Sequence, residues 1–272
     1  MADNMADNMA DPFETLIVDR ADGVVTVTMN RPERKNAANG TMWRELLAVF
    51  DDVAADRNDR VLVLTGAGGA FCSGADLSDP SDMAGRPGDP YLVQMRALAD
   101  VALRLHRFPK PTIAKVGGVA AGAGMSMAIG CDLVVASESA RFSQIFAKRG
   151  LSIDFGASWL LPRLIGLHRA KELAFFADIL SSAEAADFGL VNRVLPDAEL
   201  DAFVDGWARR LADGPTLALS MTKTMLNNSM AVSMDQALED EARAQTANFG
   251  TRDTREALTA FVERRAPNFE GR

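Results

Sequence analysis

The sequence is poor in the residues that build disulfide frameworks and histidine-rich metal sites. Its 272 residues include two cysteines, Cys72 and Cys131, and two histidines, His106 and His168. Two cysteines cannot form a disulfide framework, and they suit a reducing compartment. With so few histidines we expect no metal site.

Long apolar runs and an excess of basic charge are also missing. No run approaches the roughly 18 apolar residues of a membrane span. The N-terminus lacks the basic-then-apolar order of a signal peptide. Acidic residues number 37 and basic residues 29, which gives a formal net charge of −8 and argues against binding nucleic acid or anionic lipid. We therefore expect a soluble, cytoplasmic enzyme or ligand binder, with no nucleic-acid or membrane partner.

The order of the predicted elements indicates an α/β core. Residues 1–11 repeat small and polar residues, so we expect a disordered lead. Two strands joined at Asp22 and Gly23 predict a hairpin, and a helix capped by Asn39 follows. Buried strands then alternate with helical stripes, which is typical of an α/β fold with crossover connections; they are predicted over 61–64, 112–116 and 133–135.

Beyond about residue 162 the pattern is mostly helical. Ser181 and Glu184 form a capping box, and further helices are predicted over 199–212, 215–228, 233–249 and 253–264. We expect a core over residues 12–196 and a C-terminal helical region over 197–272 that packs on the core or on a neighbouring subunit. The stretch from Ser78 to Pro90 predicts a mobile loop, because it is rich in Asp, Pro, Gly and Ser.

Two glycine-rich turns, around Gly74 and Gly122, are the first candidate site. Neither fits a dinucleotide fingerprint, because Phe71 and Met127 stand where the third glycine is needed, and the chain has no P-loop. Each turn is predicted at a strand-to-helix junction, where unpaired backbone N–H groups can hold a negative oxygen. Two converging donors of this kind form an oxyanion hole. Small residues that only permit tight packing are the alternative.

The same segments resemble the crotonase superfamily of enoyl-CoA hydratases and isomerases. The resemblance covers nearly the whole chain after the lead, in the right order. Its segments are VVTVTMNRPERKNAAN (24–39), VLVLTGAGGAFCSGADL (61–77), KPTIAKVGGVAAGAGMSMAIGCDLVVASESARF (110–142), GLSIDFGASWLLPRLIG (150–166), SAEAADFGLVNRVLP (182–196) and ALTAFVERRAPNFEGR (257–272).

The resemblance implies a spiral of strand-strand-helix turns, and a C-terminal helical region that assembles a homotrimer or a dimer of trimers. It implies an acyl-CoA thioester as ligand, with coenzyme A as part of the substrate and no separate cofactor. Matching positions place the oxyanion donors at the N–H groups of Ala75 and Ala123. They place the CoA-binding residues at Arg34, Asn36, Ala37 and Ala38, and the acyl pocket at Phe146, Ser126 and Leu77.

Arg31, Arg34 and Lys35 form a basic patch that could face the CoA phosphates. A solvated charged loop is an equal alternative for each of these side chains.

The carboxylates distinguish one reaction of the family from another. In its hydratases two glutamates position a water molecule, and the matching positions hold Ser126 and Phe146. One acid remains at a functional position, because Asp154 matches the acid of the enoyl-CoA isomerase branch. A single carboxylate suits proton removal from C2 of a 3-enoyl thioester and proton return at C4. Capping of the helix that begins near Gly156 is the alternative role for Asp154.

Three readings remain open. The first is isomerisation of 3-enoyl-CoA to 2-enoyl-CoA. The second is another crotonase reaction at Asp154, as in ring-epoxide phenylacetyl-CoA isomerases or aryl-CoA dehalogenases. The third is a weak hydratase or a non-catalytic acyl-CoA binder. Cys72 is a conceivable nucleophile but is expected to be a buried space-filler. Both histidines are expected to be structural, His106 at the surface and His168 in the first turn of a helix.

Overall fold

A computed structural model describes residues 13–78, 86 and 88–272. The predicted disordered lead and most of the predicted loop from Ser78 to Pro90 lie outside these residues. The strands are β1 Leu16–Ala21, β2 Val24–Met29, β3 Val61–Gly66, β4 Ala70–Cys72, β5 Thr112–Val116, β6 Val119–Ala121, β7 Leu133–Ser137, β8 Arg141–Ser143, β9 Leu180–Ser181 and β10 Arg193–Leu195. The helices are α1 Gly40–Ala55, α2 Tyr91–His106, α3 Ala123–Gly130, α4 Ala157–Phe176, α5 Ser182–Asp187, α6 Leu200–Ala212, α7 Thr216–Asn228, α8 Met234–Phe249 and α9 Arg252–Glu263.

The strands form two sheets. The larger has the order β1-β2-β3-β5-β7-β10, in which β1 and β2 are antiparallel and the other pairs are parallel. The predicted hairpin is confirmed, with Asp22 and Gly23 both at positive φ in its turn. A smaller sheet has the order β4-β6-β8-β9. The sequence did not predict this second sheet.

The two sheets grow together along the chain. Each of β3, β5 and β7 is followed within a few residues by a short strand of the smaller sheet, and then by a helix. The unit strand-strand-helix therefore repeats, and the predicted α/β spiral is confirmed. Because parallel strands place their carboxyl ends at one edge, the turns after β4, β6 and β8 come together at one edge of the smaller sheet.

The larger sheet is covered on both faces. Leu62 and Leu64 of β3 point into the main core, whereas Val61 and Val63 pack against α6 through Leu200 and its neighbours. This alternation follows the period of two in a strand. Because one face of β3 packs on α6, this helix is part of the core, although the core was expected to end at residue 196. No helix of the described residues is long and apolar enough to cross a membrane.

Candidate active site

The turn around Gly74 lies against the start of α3. If Gly74 carried a side chain, its Cβ would lie 3.0 Å from the carbonyl oxygen of Ala121 and 3.7 Å from the nitrogen of Ala123. Ala123 is the first residue of α3, so its N–H belongs to the unpaired first turn of the helix. The structure thus brings together the two turns that the sequence singled out.

Ala75 directs its N–H away from its pairing partner. The N–H of Ala38 donates to the carbonyl of Gly74, and the N–H of Asp76 donates to the carbonyl of Ala38. In extended backbone the N–H of Ala75, the residue between these two, points to the opposite side. The expectation of a strand-to-helix junction is wrong at this turn, because β4 ends at Cys72 and α2 begins only at Tyr91. Its free N–H arises from a one-residue bridge with Ala38 instead.

Close backbone approach fixes the position of α3. If Gly124 had a Cβ, that atom would lie 2.1 Å from the carbonyl oxygen of Cys72. Only glycine therefore fits at this position. Gly122, at φ +54, has Ile145 and Phe146 at 3.5 and 3.7 Å from its Cβ position. The first turn of α3 is therefore held between β4 and the 3₁₀ helix Ile145–Arg149.

Asn36 holds the loop that contains the predicted CoA-binding residues. Its Oδ1 accepts a bond of 2.9 Å from the N–H of Arg31, and its Nδ2 donates to the carbonyls of Ala67 and Ala70 at 2.8 Å each. The side chain is completely buried and its φ is +56. Both N–H groups of the amide are used within the loop, so the side chain shapes the loop, and the predicted CoA contact of Asn36 remains a prediction for its backbone.

The predicted basic patch is smaller than its sequence suggests. Arg31 forms an ion pair of 2.9 Å with Asp76 and donates to the carbonyl of Ala37. It joins the loop predicted to bind CoA to the turn around Gly74, and hydrogen bonds from Ser78 and this arginine lower the pKa of Asp76. Arg34 and Lys35 are exposed. Contact of these two side chains with the CoA phosphates, and of Ala37 and Ala38 with the rest of CoA, remains a prediction.

Asp154 lies in the segment between the 3₁₀ helix and α4, and it is partly buried. Burial raises the pKa of its carboxyl from 3.8 to about 6, because removal from water disfavours the charged form. Its Oδ1 is buried and has no hydrogen-bond partner among the residues that the structure describes. The first turn of α4 has Gly156 at its N-cap and no side-chain cap. The capping role is thereby excluded for Asp154.

Two sets of contacts join the segment of Asp154 to the oxyanion turns. The ring of Phe155 packs on Trp43 of α1 with 5.5 Å between centroids, and α1 begins just after Ala38, the bridge partner of Ala75. On the other side, the carbonyl of Phe146 accepts the N–H of Leu151, and the Phe146 ring lies against Gly122. These contacts connect the segment that contains Asp154 to the turns around Gly74 and Gly122.

The residues predicted for the acyl pocket differ in their surroundings. Phe146 is buried beside Gly122, and Leu77, just after the oxyanion turn, is 49% exposed. Ser126 is fully buried and donates to the carbonyl of Gly122 within its own helix. Ser126 and Phe146, where hydratases have glutamates, therefore provide no acid–base group.

The other candidate groups are structural. Burial raises the pKa of Cys72 to about 11 and that of Cys131 to about 12, so neither thiol is a nucleophile near neutral pH. Asp132 accepts two bonds from Thr112 and pairs with Lys223, which fixes the start of β5. Within the described part of the chain, no group of three or more His, Cys, Asp and Glu side chains could hold a metal ion.

His106 is not the surface residue that the sequence suggested. Its ring packs edge-on against Trp159 with 5.0 Å between centroids, and it lines a cavity of about 750 Å³ between α2, α4 and α7. Burial lowers the pKa of this histidine. Phe155 and Gly156 also line the cavity. His168 is exposed, just after the break in α4 at Gly166.

Gln144 is a polar residue that the sequence did not single out. It is completely buried, and in the described part of the chain neither Oε1 nor Nε2 of its amide has a partner. The only signal in the sequence is one polar side chain directly between a short strand and an apolar turn.

Comparison with known proteins gives a consistent result over almost the whole chain. The sequence model of the family described as enoyl-CoA hydratase/isomerase matches residues 19–272. The 1,2-epoxyphenylacetyl-CoA isomerase of Escherichia coli is 39% identical over 92% of this chain and 96% of its own. The short-chain-enoyl-CoA hydratase of Clostridium acetobutylicum is 34% identical over 93% and 96%. The crystal structure of an enoyl-CoA hydratase from Bacillus anthracis superposes with a TM-score of 0.89 at 31% identity, covering 95% of this chain and all of the other.

Proposed function

We propose that this chain, which belongs to the enoyl-CoA hydratase/isomerase family, isomerises 3-enoyl-CoA to 2-enoyl-CoA with Asp154 as its acid–base group. The observation that carries the proposal is the state of Asp154: a half-buried carboxyl with a pKa of about 6, whose Oδ1 has no hydrogen-bond partner among the described residues. A general base works best when its pKa lies near the operating pH. Ser126 and Phe146 leave the hydratase positions without acids.

The reaction moves one proton and needs no net redox change. The carboxylate of Asp154 removes a proton from C2, and the electron pair shifts through the double bond and the thioester carbonyl. The resulting dienolate oxygen accepts bonds from the N–H groups of Ala75 and Ala123, each worth about 2.7–4 kcal/mol in the transition state. The protonated Asp154 then gives its proton to C4, which restores the carbonyl and leaves the 2-enoyl thioester.

A second candidate is isomerisation of a ring-epoxide acyl-CoA at the same site. The 39% identity to a 1,2-epoxyphenylacetyl-CoA isomerase supports it, and one acid with an oxyanion hole is again the expected machinery. Relatives named as hydratases are also close in identity. Hydration by paired carboxylates is disfavoured because the two matching positions are Ser126 and Phe146.

The C-terminal helices support the proposal of a homotrimer or a dimer of trimers. Large apolar side chains are exposed along α8 and α9, and three of them form a stripe at helical spacing on α9: Leu258, Phe261 and Val262. Exposed apolar patches of this kind mark interfaces between proteins.

Parallel assays with three thioesters test the proposed reaction. The enzyme is supplied separately with 3-hexenoyl-CoA, 2-hexenoyl-CoA and the 1,2-epoxide of phenylacetyl-CoA, and each product is identified by mass and ultraviolet spectra. Conversion of the first without hydration of the second supports double-bond isomerisation, and conversion of the third alone supports the second candidate. Rapid hydration of 2-hexenoyl-CoA contradicts both, and binding without any turnover would leave only an acyl-CoA binder.

A further inference from the structure

The cavity of about 750 Å³ between α2, α4 and α7 reaches the segment of the proposed base. Phe155 and Gly156 line it, and they directly follow Asp154 in the chain. Its volume is in the range of small-molecule sites, which are mostly apolar and contain a few polar groups. The three residues predicted for the acyl pocket do not line this cavity. It is therefore a further space next to the proposed base, which the sequence did not predict.

The walls of this cavity suit a ring. The α2 wall contains the small side chains of Ala99 and Ala102, and the α4 wall contains Trp159. Trp159 lies one turn after Gly156, whose carbonyl accepts its N–H at 3.0 Å. A group that extends from Asp154 along this turn passes between small and aromatic side chains. Such surroundings favour an aromatic or cyclic group, which packs on aromatic rings through its flat face.

The α7 wall is fixed to the core by polar contacts. Nζ of Lys223 pairs with Asp132 at 2.8 Å and donates to the carbonyl of Lys110 at 3.1 Å. Nδ2 of Asn227 donates to the carbonyl of His106 at 3.0 Å. The cavity is thus already formed in the free protein, and the charge of Lys223 within its lining is neutralised.

The imidazole of His106 lines the cavity without a hydrogen bond. Its ring is held edge-on against Trp159, and the residue is half-buried, so a bound molecule can reach it. Neither ring nitrogen has a hydrogen bond to any residue that the structure describes. Burial and the nearby Lys223 lower the pKa of this histidine. The ring is therefore neutral near pH 7, with one nitrogen that donates and one that accepts.

We propose that this cavity holds the distal part of the acyl group, and that His106 is a specificity residue for aryl or cyclic acyl-CoA thioesters with a hydroxyl group at the far end. The inference rests on the proposed function, because Asp154 marks the place where the thioester reacts. One nitrogen of the imidazole accepts the hydroxyl hydrogen, or the other donates to its oxygen. A hydrocarbon ring fills the same space but leaves the imidazole unpaired, and sites of this type discriminate against ligands without the matching polar group.

Two thioesters that differ by one hydroxyl group test this selection without any turnover. Kd values of 4-hydroxyphenylacetyl-CoA and phenylacetyl-CoA are measured by calorimetry for the full-length wild type and for His106→Phe, which keeps a ring but has no polar atom. We expect the wild type to bind the hydroxylated thioester about tenfold more tightly, as one hydrogen bond allows. In His106→Phe this preference disappears, and the Kd of phenylacetyl-CoA stays within about threefold.

His168→Phe is the matched control. His168 is exposed after the break in α4 and does not line the cavity, so this variant should keep the tenfold preference. Acetyl-CoA reports on folding and on CoA binding, because its acyl part is too short to enter the cavity. Both variants should bind acetyl-CoA like the wild type. His106→Leu repeats the measurement if His106→Phe does not bind it.

A variant that fills the cavity tests the location of the acyl group. Ala102→Phe places a large side chain in the α2 wall. It should weaken the binding of both aryl thioesters by about tenfold or more, as is usual for an overfilled site, and leave the Kd of acetyl-CoA unchanged. Unchanged affinity for the aryl thioesters would show that the acyl group lies elsewhere.

Other outcomes also overturn the inference. They are equal affinity of the wild type for the two aryl thioesters, no binding of either, a preference that survives in His106→Phe, and a preference that is lost in His168→Phe as well. The proposed function fails separately. If the thioesters are discriminated as expected while no thioester is isomerised, the inference about His106 stands without it. If 3-hexenoyl-CoA is isomerised while the hydroxyl group has no effect on binding, the proposed function stands and the inference is wrong.

Discussion

At the scale of single residues, we expect the ionisation of Asp154, the proposed base, to govern both the reaction rate and the stability of the fold. Burial raises its pKa to about 6, whereas an aspartate in the unfolded chain titrates near 4. A base must be deprotonated to accept the C2 proton. We therefore predict that kcat/KM is constant above about pH 7 and falls tenfold per pH unit below about pH 6. A profile that is flat down to pH 5 would contradict the assignment of this carboxyl as the base.

The same raised pKa predicts a cost in stability. Between about pH 4 and pH 6 the unfolded chain releases this proton while the folded chain keeps it, so stability falls as the pH rises through this range. The shift of Asp154 from 3.8 to about 6 corresponds to at most about 3 kcal/mol. Asp154→Asn should therefore be more stable than the wild type by up to about 3 kcal/mol at pH 7.5, and nearly equal to it at pH 4.

Urea unfolding at the two pH values measures this difference. Asp201→Asn is the control, because that carboxyl is 78% exposed in its ion pair with Lys115, and removal of an exposed pair changes stability by no more than about 1 kcal/mol. An Asp154→Asn variant that is as stable as the wild type at pH 7.5 would show that the charged carboxyl is well solvated.

Residue identities predicted some roles and missed others. Cys72 was expected to be a buried space-filler, and its complete burial confirms this. The position of Asn36 in the motif did not reveal that its amide is used up inside the loop. The burial of Gln144 was not predictable either. Hydrogen-bond partners distant in the chain decide such roles, and local sequence does not contain them.

At the scale of elements, the sequence predicted what local signals determine. The cap at Asn39 and the capping box at Ser181 and Glu184 are confirmed, because side-chain to backbone bonds within one turn depend only on neighbours. The smaller sheet escaped prediction because its strands are two or three residues long. Strands this short show no recognisable alternation of apolar and polar residues. They are stabilised by pairing with strands from other turns of the spiral.

Gly124 provides a test of how α3 places the oxyanion donor. An added Cβ would lie 2.1 Å from the carbonyl oxygen of Cys72, so Gly124→Ala must push α3 away from β4. We predict a loss of about 1–3 kcal/mol in stability and a fall of kcat by about 100-fold or more, since one oxyanion bond is worth that much. Chemical unfolding and steady-state kinetics measure the two effects.

Gly130→Ala is the matched control at the other end of the same helix. Its Cβ would meet only the side chains of Leu105 and Leu160, at 3.5 and 3.9 Å. Stability should change by less than about 1 kcal/mol, and kcat should remain at the wild-type value. Equal effects of the two substitutions would mean that the contact of α3 with β4 does not determine the rate.

At the scale of the whole molecule, the exposed C-terminal helices predict assembly. Phe261 and Val262 of α9 are 83% and 80% exposed, although a single chain has no reason to keep such side chains in water. We predict that the wild type sediments as a trimer or hexamer of 29.2 kDa chains, and that Phe261→Glu shifts it to smaller species at micromolar concentration.

Asp19→Lys, a change of charge at an exposed position of the edge strand β1, should leave the assembly intact. Sedimentation velocity distinguishes these outcomes. A wild-type protein that is monomeric at these concentrations would contradict the predicted assembly, and so would a Phe261→Glu variant that sediments like the wild type.

The charge of the whole chain illustrates how composition can mislead about a local site. A net charge of −8 disfavours an anionic ligand on average, yet the exposed Arg34 and Lys35 lie on the loop predicted to bind CoA. Arg31 contributes less to this patch than its sequence position suggests, since Asp76 neutralises it.

Replacement of Asp154 by asparagine is the most direct test of the central claim. Single-turnover isomerisation of 3-hexenoyl-CoA is followed at pH 7.5 for the wild type and Asp154→Asn, together with the Kd of a saturated acyl-CoA. Asparagine keeps the shape of the side chain but cannot accept the C2 proton, so we predict a rate at least about 1,000-fold lower with the Kd unchanged within about threefold. An isomerisation rate that survives this substitution would show that Asp154 is not the base.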